Sequence, residues 1–264
     1  SWRVIGDAAA FVGGIRALVV QTAHPEVLAG VEQHSRYRDD PFGRLNRTSV
    51  YVTETIFGAI PEVESAVAAV RNAHRPVRGR SERGMPYSAG NPALAAWVHS
   101  ILPISFLVAF QTYGSEPLSA EDADQFVREQ ARIGALLDAS PLPTTAAALA
   151  DWIEDHPDIN RSDALANSIE FLRKPPLPFG VALGYRPLFN AALATIPPSI
   201  LDVIGLSTNR PGAAIGRTAV KSLRWALGSS PSWHLALVRS GAAVPPGLFR
   251  QPLPTQHAAR VNQP

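Results

Sequence analysis

A chain of 264 residues, 46% of them hydrophobic, holds enough apolar material for one large core, and its complete lack of cysteine excludes a disulfide framework, a thiolate metal site and a catalytic thiol. Its 24 basic residues, all arginine except Lys174 and Lys221, nearly balance 22 carboxylates. The arginines are dispersed and accompany no zinc-finger, basic-zipper or RNP pattern, so nucleic-acid binding is not expected.

Apolar residues recur at spacings of three and four, and no sustained alternating strand pattern occurs, which predicts an all-α fold. Phe11, Ile15, Leu18 and Val19 form the apolar face of a first helix. A second opens near Pro25 and carries Val27, Leu28 and Val31. Asp39 or Asp40 can cap a third with Pro41 in its first turn, closed by Gly58 and Pro61. Val63, Val67 and Val70 mark a fourth.

Residues 85 to 115 hold no Asp, Glu, Lys or Arg, and Pro92 to Tyr113 is apolar enough to suggest a membrane span. Pro103, His99, Ser100, Ser105 and Gln111 interrupt it, and an all-α domain of this size needs a buried central helix, which is the preferred reading. Glu116 to Ser119 break the chain before an amphipathic helix bearing Phe126, Ile133, Leu136 and Leu137, ended by Pro141 and Pro143. From Lys174 onward prolines divide the sequence into short helical pieces, expected to close the core as a second layer. Charge is uneven here: residues 119 to 174 carry eleven acids against five bases, and residues 175 to 264 carry eight bases against Asp202 alone. Such a basic segment can touch an anionic surface, so peripheral membrane contact stays open. The expected organisation is one all-α domain over residues 1–249, built around a buried central helix, followed by a frayed tail over 250–264. No signal peptide is visible, and a cytoplasmic protein, with or without membrane association, is the expectation.

Chemistry-bearing residues concentrate between His24 and His99. Arg44, Arg47 and Thr48 lie at i, i+3 and i+4 and share a helix face, with Tyr51 and Thr55 extending it. They make either an anion clamp with a hydroxyl donor or a solvated face paired to Asp39 or Asp40. His74 falls next on the Val63, Val67, Val70 stripe and should point inward, as a core histidine or as an axial ligand. His99 lies in an apolar face and is expected to be buried. His24 and His34 stand near helix ends, where packing is as good a reading as catalysis, and His156, His234 and His257 read as surface residues. G-x-S-x-G, H-E-x-x-H, Walker and G-x-G-x-x-G patterns are all missing, which removes support for common hydrolases, zincins, kinases and dinucleotide enzymes.

These residues resemble the latex clearing protein, or rubber oxygenase, group and the MpaB-type oxygenases. The matching text is His24-Pro25, Gly30-Val31, Gln33-His34-Ser35, Asp40-Pro41, Arg44, Arg47, Thr48, His74 with Val77 and Gly79, Tyr87-Ser88, Asn91-Pro92 and Trp97-Val98-His99. It covers about residues 10 to 140. The resemblance implies a b-type haem in a helical pocket and dioxygen-dependent cleavage of a carbon–carbon double bond in an apolar, isoprenoid-like substrate. It implies His74 as the iron ligand, with His99 as second choice or pocket neighbour, and Arg44, Arg47 and Thr48 beside the haem. Arg47 stands where rubber oxygenases carry a lysine, and guanidinium ligates iron poorly. The acid that assists those enzymes has no secure counterpart; Glu26 and Glu32 are nearby. Two other readings remain: a non-catalytic haem- or lipid-binding module, and a non-haem metal site using His24, His34, His74 or His99.

Overall fold

The structure is a computed structural model that describes residues 1–208 and 212–253. Its described residues form thirteen helices and one short hairpin: α1 Trp2–Gly6, α2 Ala9–Gln21, α3 Pro25–His34, α4 Pro41–Phe57, α5 Ile60–His74, β1 Arg78–Arg80, β2 Pro86–Ser88, α6 Pro92–Tyr113, α7 Ala120–Ala135, α8 Ala146–Glu154, α9 Asp163–Arg173, α10 Phe179–Leu193, α11 Pro198–Ile204, α12 Gly212–Leu227 and α13 Pro231–Ser240. The all-α expectation holds. His257 and most of the expected tail lie outside the described residues.

Local chemistry explains most helix starts. Asp40 caps α4, its carboxylate accepting from the Gly43 amide at 2.8 Å, with Pro41 pre-set for the first turn. Pro61 does not end α4 as the sequence suggested; it lies in the first turn of α5, where its missing N–H is harmless. The Asn91 side chain accepts from Ala93 at 2.8 Å to start α6, and Ser119 caps α7 by accepting from Asp122 at 3.1 Å.

Helix α6 is the centre of the fold. It is the one helix among the described residues long and apolar enough to cross a membrane, and 61% of that window is buried inside the fold. Trp97, Ile101, Ile104, Leu107 and Phe110 on it join the main core with Val19 and Val20 of α2, Phe126 and Val127 of α7, and Leu149 and Ile153 of α8. Pro103 does not break α6, but the ring removes the amide that would bond the carbonyl of His99 four residues earlier.

Helix α2 lies against α6 at close range. A Cβ on Gly13 would come within 2.7 Å of the Phe106 ring and 2.9 Å of the Phe106 Cα, so glycine is what permits this approach. Phe11, expected on the apolar face, is 53% exposed, while Arg16 is buried. The inward set is Ala9, Val12, Gly13, Arg16, Ala17, Val19 and Val20. The Arg16 guanidinium donates to Ser105 Oγ at 2.8 Å and to the Thr195 carbonyl at 3.3 Å, which joins α2, α6 and the end of α10. Burial pulls its pKa down to about 10, so it remains charged at neutral pH.

The basic C-terminal third closes over this pair. Arg224 of α12 holds Asp7 with two bonds of 2.7 and 2.8 Å and also donates to the Tyr113 carbonyl, while the Tyr113 hydroxyl donates to the Ala191 carbonyl at 2.9 Å. Residues up to Arg224 therefore pack back onto the helices that carry the core.

Gly13→Ala tests the α2–α6 contact. The backbone of Phe106 cannot swing away, so overpacking of about 1–3 kcal/mol should outweigh the ~1 kcal/mol that alanine gains in a helix interior. The expected result in urea unfolding is a lower midpoint with an unchanged slope.

Candidate functional site

Two recesses flank helix α4. The first, about 320 Å³ including its open mouth, is lined by Tyr51, Val52, Thr55 and Ile56 of α4, by His99, Leu102, Pro103 and Phe106 of α6, and by Gln130 and Ile133 of α7. The second, about 350 Å³, is lined by Leu18, Gln21 and Thr22 of α2, Leu28 and Val31 of α3, Tyr37, Arg44, and Ser168 and Leu172 of α9. Most of each volume is open mouth: the enclosed space is about 20 Å³ in the first and about 30 Å³ in the second, room for a water molecule or two.

His99, expected to be buried, is half-buried in an apolar setting. Its ring meets Tyr51 edge-on at 6.3 Å between centroids. Gly134 of α7 makes room for it: a Cβ there would stand 3.1 Å from the His99 Cβ. Burial, and then the neighbouring His74, drive the His99 imidazole down to about 4, so it is neutral at pH 7. The Tyr51 hydroxyl is buried in the same recess without a hydrogen-bond partner, and burial raises its pKa.

His74 departs from the expectation of an inward side chain. Val63, Val67 and Val70 are half-buried as the stripe requires, but His74 is the last residue of α5 and is exposed, because no further turn or neighbouring helix covers that position. Partial desolvation still lowers its pKa, and its charge opposes that of His99. The structure thus brings His74 and His99 into electrostatic reach as two neutral imidazoles.

Arg44, Arg47 and Thr48 go to different surroundings. Arg44 is half-buried in the second recess, its guanidinium 5.5 Å from the Tyr37 ring centroid. It makes no ion pair among the described residues, and burial lowers its pKa. Arg47 is exposed and reaches Asp40 at 3.7 Å, the surface-pair reading anticipated for it. Thr48 is exposed and donates back to the Arg44 carbonyl at 3.1 Å. Tyr51, one turn beyond Thr48, is the α4 residue that meets His99.

The two acids near the motif are structural partners. Glu26 accepts from Ser81 at 2.7 Å and from both arms of Arg83. Glu32 accepts from Tyr37, Arg38 and Ser168, tying α3 to α9 and to the loop before α4. His34 sits on the hairpin, 3.2 Å from the Arg78 carbonyl, beside the Tyr87 hydroxyl that donates to Gln33 at 2.6 Å. His24, fully buried, lies with His156 and Asp158 on a separate cluster. The histidines therefore do not converge on one point. His156 and His234, read from sequence as surface residues, are half-buried: His156 lies between Trp97 and Trp152, and His234 stacks on Phe249 at 4.5 Å.

Two recesses, a pair of neutral imidazoles and an unpaired half-buried arginine on a helical frame lead to the comparison with known families. The family model described as "ER-bound oxygenase mpaB/B'/Rubber oxygenase, catalytic domain" matches residues 2–226. The chain belongs to this family. No curated protein and no solved structure matches it. Membership in an mpaB/rubber oxygenase family indicates oxygenase chemistry, and with it a small-molecule substrate and dioxygen. The matched span takes in every element from α1 to most of α12, including both recesses.

Sequence reasoning missed Gln130 and Gly134, which reach the recess from α7, and the pairing of His156 with His24. Trp152 and His156 at i, i+4 carried a signal for the latter, since both would lie on one face of a helix.

Glu32 makes the pH dependence of this region testable. Burial alone would raise its pKa, but hydrogen bonds from Ser168, Tyr37 and Arg38 outweigh that and hold it below the ordinary 4.5. A carboxylate depressed on folding stabilises fully above the unfolded value and loses that contribution as pH falls through the folded one. Glu32→Gln should therefore cost about 1–3 kcal/mol at pH 7, with the gap to wild type closing as pH drops below about 4.5 in urea-unfolding series.

Proposed function

We propose that this protein is a haem b-dependent oxygenase that uses dioxygen to cleave or oxidise a carbon–carbon double bond of an apolar, isoprenoid-like substrate. The observation that carries the reading is a neighbouring pair of neutral imidazoles: His99 lines a recess with apolar walls and the orphaned buried hydroxyl of Tyr51, and His74 stands exposed at the end of α5 within electrostatic reach of it. This donor set fits a haem: cysteine is absent and the single methionine, Met85, lies in the hairpin turn, so imidazole is the axial donor at hand.

In this reading His74 would hold the haem iron, its exposed position leaving a ring nitrogen free. His99, more enclosed, supports the pocket. Bound haem would supply the redox chemistry that activates dioxygen toward an alkene. Arg44, half-buried without an ion-pair partner, is suited to a haem propionate or another carboxylate, since an uncompensated buried guanidinium gains most from an anion. Arg47 and Thr48, on the next turn of α4, complete the polar edge. Thr48 turns its hydroxyl outward by giving up its bond to the Arg44 carbonyl, and Arg47 by leaving its long, exposed contact with Asp40. Val52, Ile56, Leu102, Phe106 and Ile133 exclude water from the side on which an alkene would lie. Phe179, Val181 and Leu183 on α10 are exposed apolar residues, which supports a peripheral contact with the apolar phase such a substrate occupies.

A non-catalytic carrier would use the same pocket without consuming oxygen. Haem-reconstituted protein given a soluble isoprenoid alkene should take up dioxygen and release carbonyl products, with Arg44→Ala losing about 10-fold or more in rate. Alkene binding without oxygen uptake or carbonyl product would assign the carrier role instead.

A further inference from the structure

On the face of α6 turned away from the recess, a second group of metal-capable side chains converges. Trp97 and His99 are two residues apart, which on a helix is about 200° of rotation, so what packs on Trp97 is remote from what lines the His99 recess. The His24 ring stands 5.5 Å from Trp97 and 5.5 Å from His156, and His156 in turn lies 4.8 Å from Trp97 and 4.7 Å from Trp152, centroid to centroid. Asp158 faces the same point. One donor atom from each of His24, His156 and Asp158 lies within 4.8 Å of the other two.

We propose that His24, His156 and Asp158 form a binding site for a divalent first-row transition ion, distinct from the haem site, that fastens the α8–α9 connection to the α2–α3 junction.

Three independent observations carry this. The first is the direction of the His24 nitrogens. Nε2 faces Asp158 Oδ2 at 3.9 Å and Nδ1 faces Glu26 Oε2 at 3.5 Å. A proton on Nδ1, aimed at the Glu26 carboxylate, leaves the Nε2 lone pair pointing at Asp158 and His156. That is the carboxylate–histidine–metal arrangement in which an outer acid fixes the tautomer of a ligating imidazole.

The second is an unmet need. His24 is 2% exposed, yet its side chain makes no hydrogen bond among the described residues, and its ring packs on a second imidazole and an indole. His156 Nδ1 accepts from the Asp158 amide at 3.3 Å, which leaves its Nε2 as the free donor, and a metal between the two Nε2 atoms would give the buried His24 ring the partner it lacks.

The third is charge and access. Among the described residues Arg83 is the cation close by, 2.5 Å from Glu26 and 4.0 Å from Asp158 Oδ1. Its two bonds to Glu26 satisfy it, which leaves Asp158 Oδ2 free toward His24. With both imidazoles neutral, the carboxylates outnumber the guanidinium by one, a favourable field for a dication. Asp158 is about half exposed, and so gives an entry path.

Zinc bonds of ~2.0–2.1 Å in a tetrahedral site place donors ~3.3 Å apart, so the observed spacing needs about an ångström of side-chain rotation. The loop residues His156 and Asp158 can supply it. The donor type, two imidazoles and one carboxylate with open positions, suits zinc or ferrous iron over calcium or magnesium. The loop already reaches the same junction, since the Asn160 amide donates to the Ala23 carbonyl at 3.0 Å.

The test uses the full chain, stripped with chelator, with and without haem, and titrated with Zn²⁺ by calorimetry and with Co²⁺ by visible absorption. The expected result is one equivalent bound, a rise in thermal midpoint on adding Zn²⁺, and a haem absorption band that Zn²⁺ does not shift. Asp158→Asn and the double variant with His156→Gln leave the buried His24 in place. They should weaken Zn²⁺ binding at least 10-fold and 100-fold and cancel the thermal gain, with unchanged circular dichroism. His74→Ala and His99→Ala should bind Zn²⁺ as wild type does. Wild-type affinity no greater than that of the double variant would overturn the proposal, and so would loss of Zn²⁺ binding in the His74 or His99 variants alone.

Discussion

The close approach of α2 to α6 governs the rest of the structure. Gly13 lets the two backbones meet at the Phe106 position, and Arg16, one turn on, spends its buried guanidinium on Ser105 and the Thr195 carbonyl. A fully buried cation held by neutral oxygens tolerates little movement, because any shift leaves a charge without hydrogen bonds. This pins the crossing angle and register of the pair. Everything functional is then hung on it: Trp97 and His99 point to opposite sides of α6, so one helix serves two separate groups of histidines.

The second layer depends on the first. Helix α4 makes few contacts with this pair along its outer turns, and Phe42, Leu45 and Val50 remain exposed. Its N-terminal half faces the recess that Arg44 enters and its C-terminal half faces the recess of Tyr51 and His99. The two are seven residues apart, about 10 Å along a helix axis. Arg44 and the Tyr51 that meets His99 are thus spaced by a single rigid element, while the imidazoles of the proposed site come from α5 and α6.

Much of the fold was legible because its signals are local. Asp40, Pro41 and Gly58 bound α4 as cap, first turn and stop, and the charge-free run predicts the central helix despite Pro103, whose ring costs one hydrogen bond without ending a well-packed helix. The hairpin was not legible, since three-residue strands show no alternation; it is held by Gln33 and Tyr87. Phe11 is exposed against expectation and Arg16 is buried because α2 is covered on most sides, and periodicity cannot rank faces of a nearly all-buried helix.

The site was legible in kind and less so in geometry. Residue types point to imidazoles and guanidiniums, and His99 is half-buried between the apolar flanks that its sequence shows. His74 is exposed because a stripe predicts burial only while a partner helix continues alongside, and α5 ends there. Arg47 and Thr48 find partners within their own helix region, which a helical wheel does not distinguish from a clamp. His156 comes from an acidic segment with a surface character, and only tertiary packing between two tryptophans turns it inward.

The most direct measurement is an absorption titration of the purified full chain with haem. The account predicts saturation at one equivalent with a sharp Soret band, abolished or strongly shifted in His74→Ala and only weakened in His99→Ala. A wild-type chain that takes up no haem, or whose band survives in the His74 variant and disappears in the His99 variant, would contradict it.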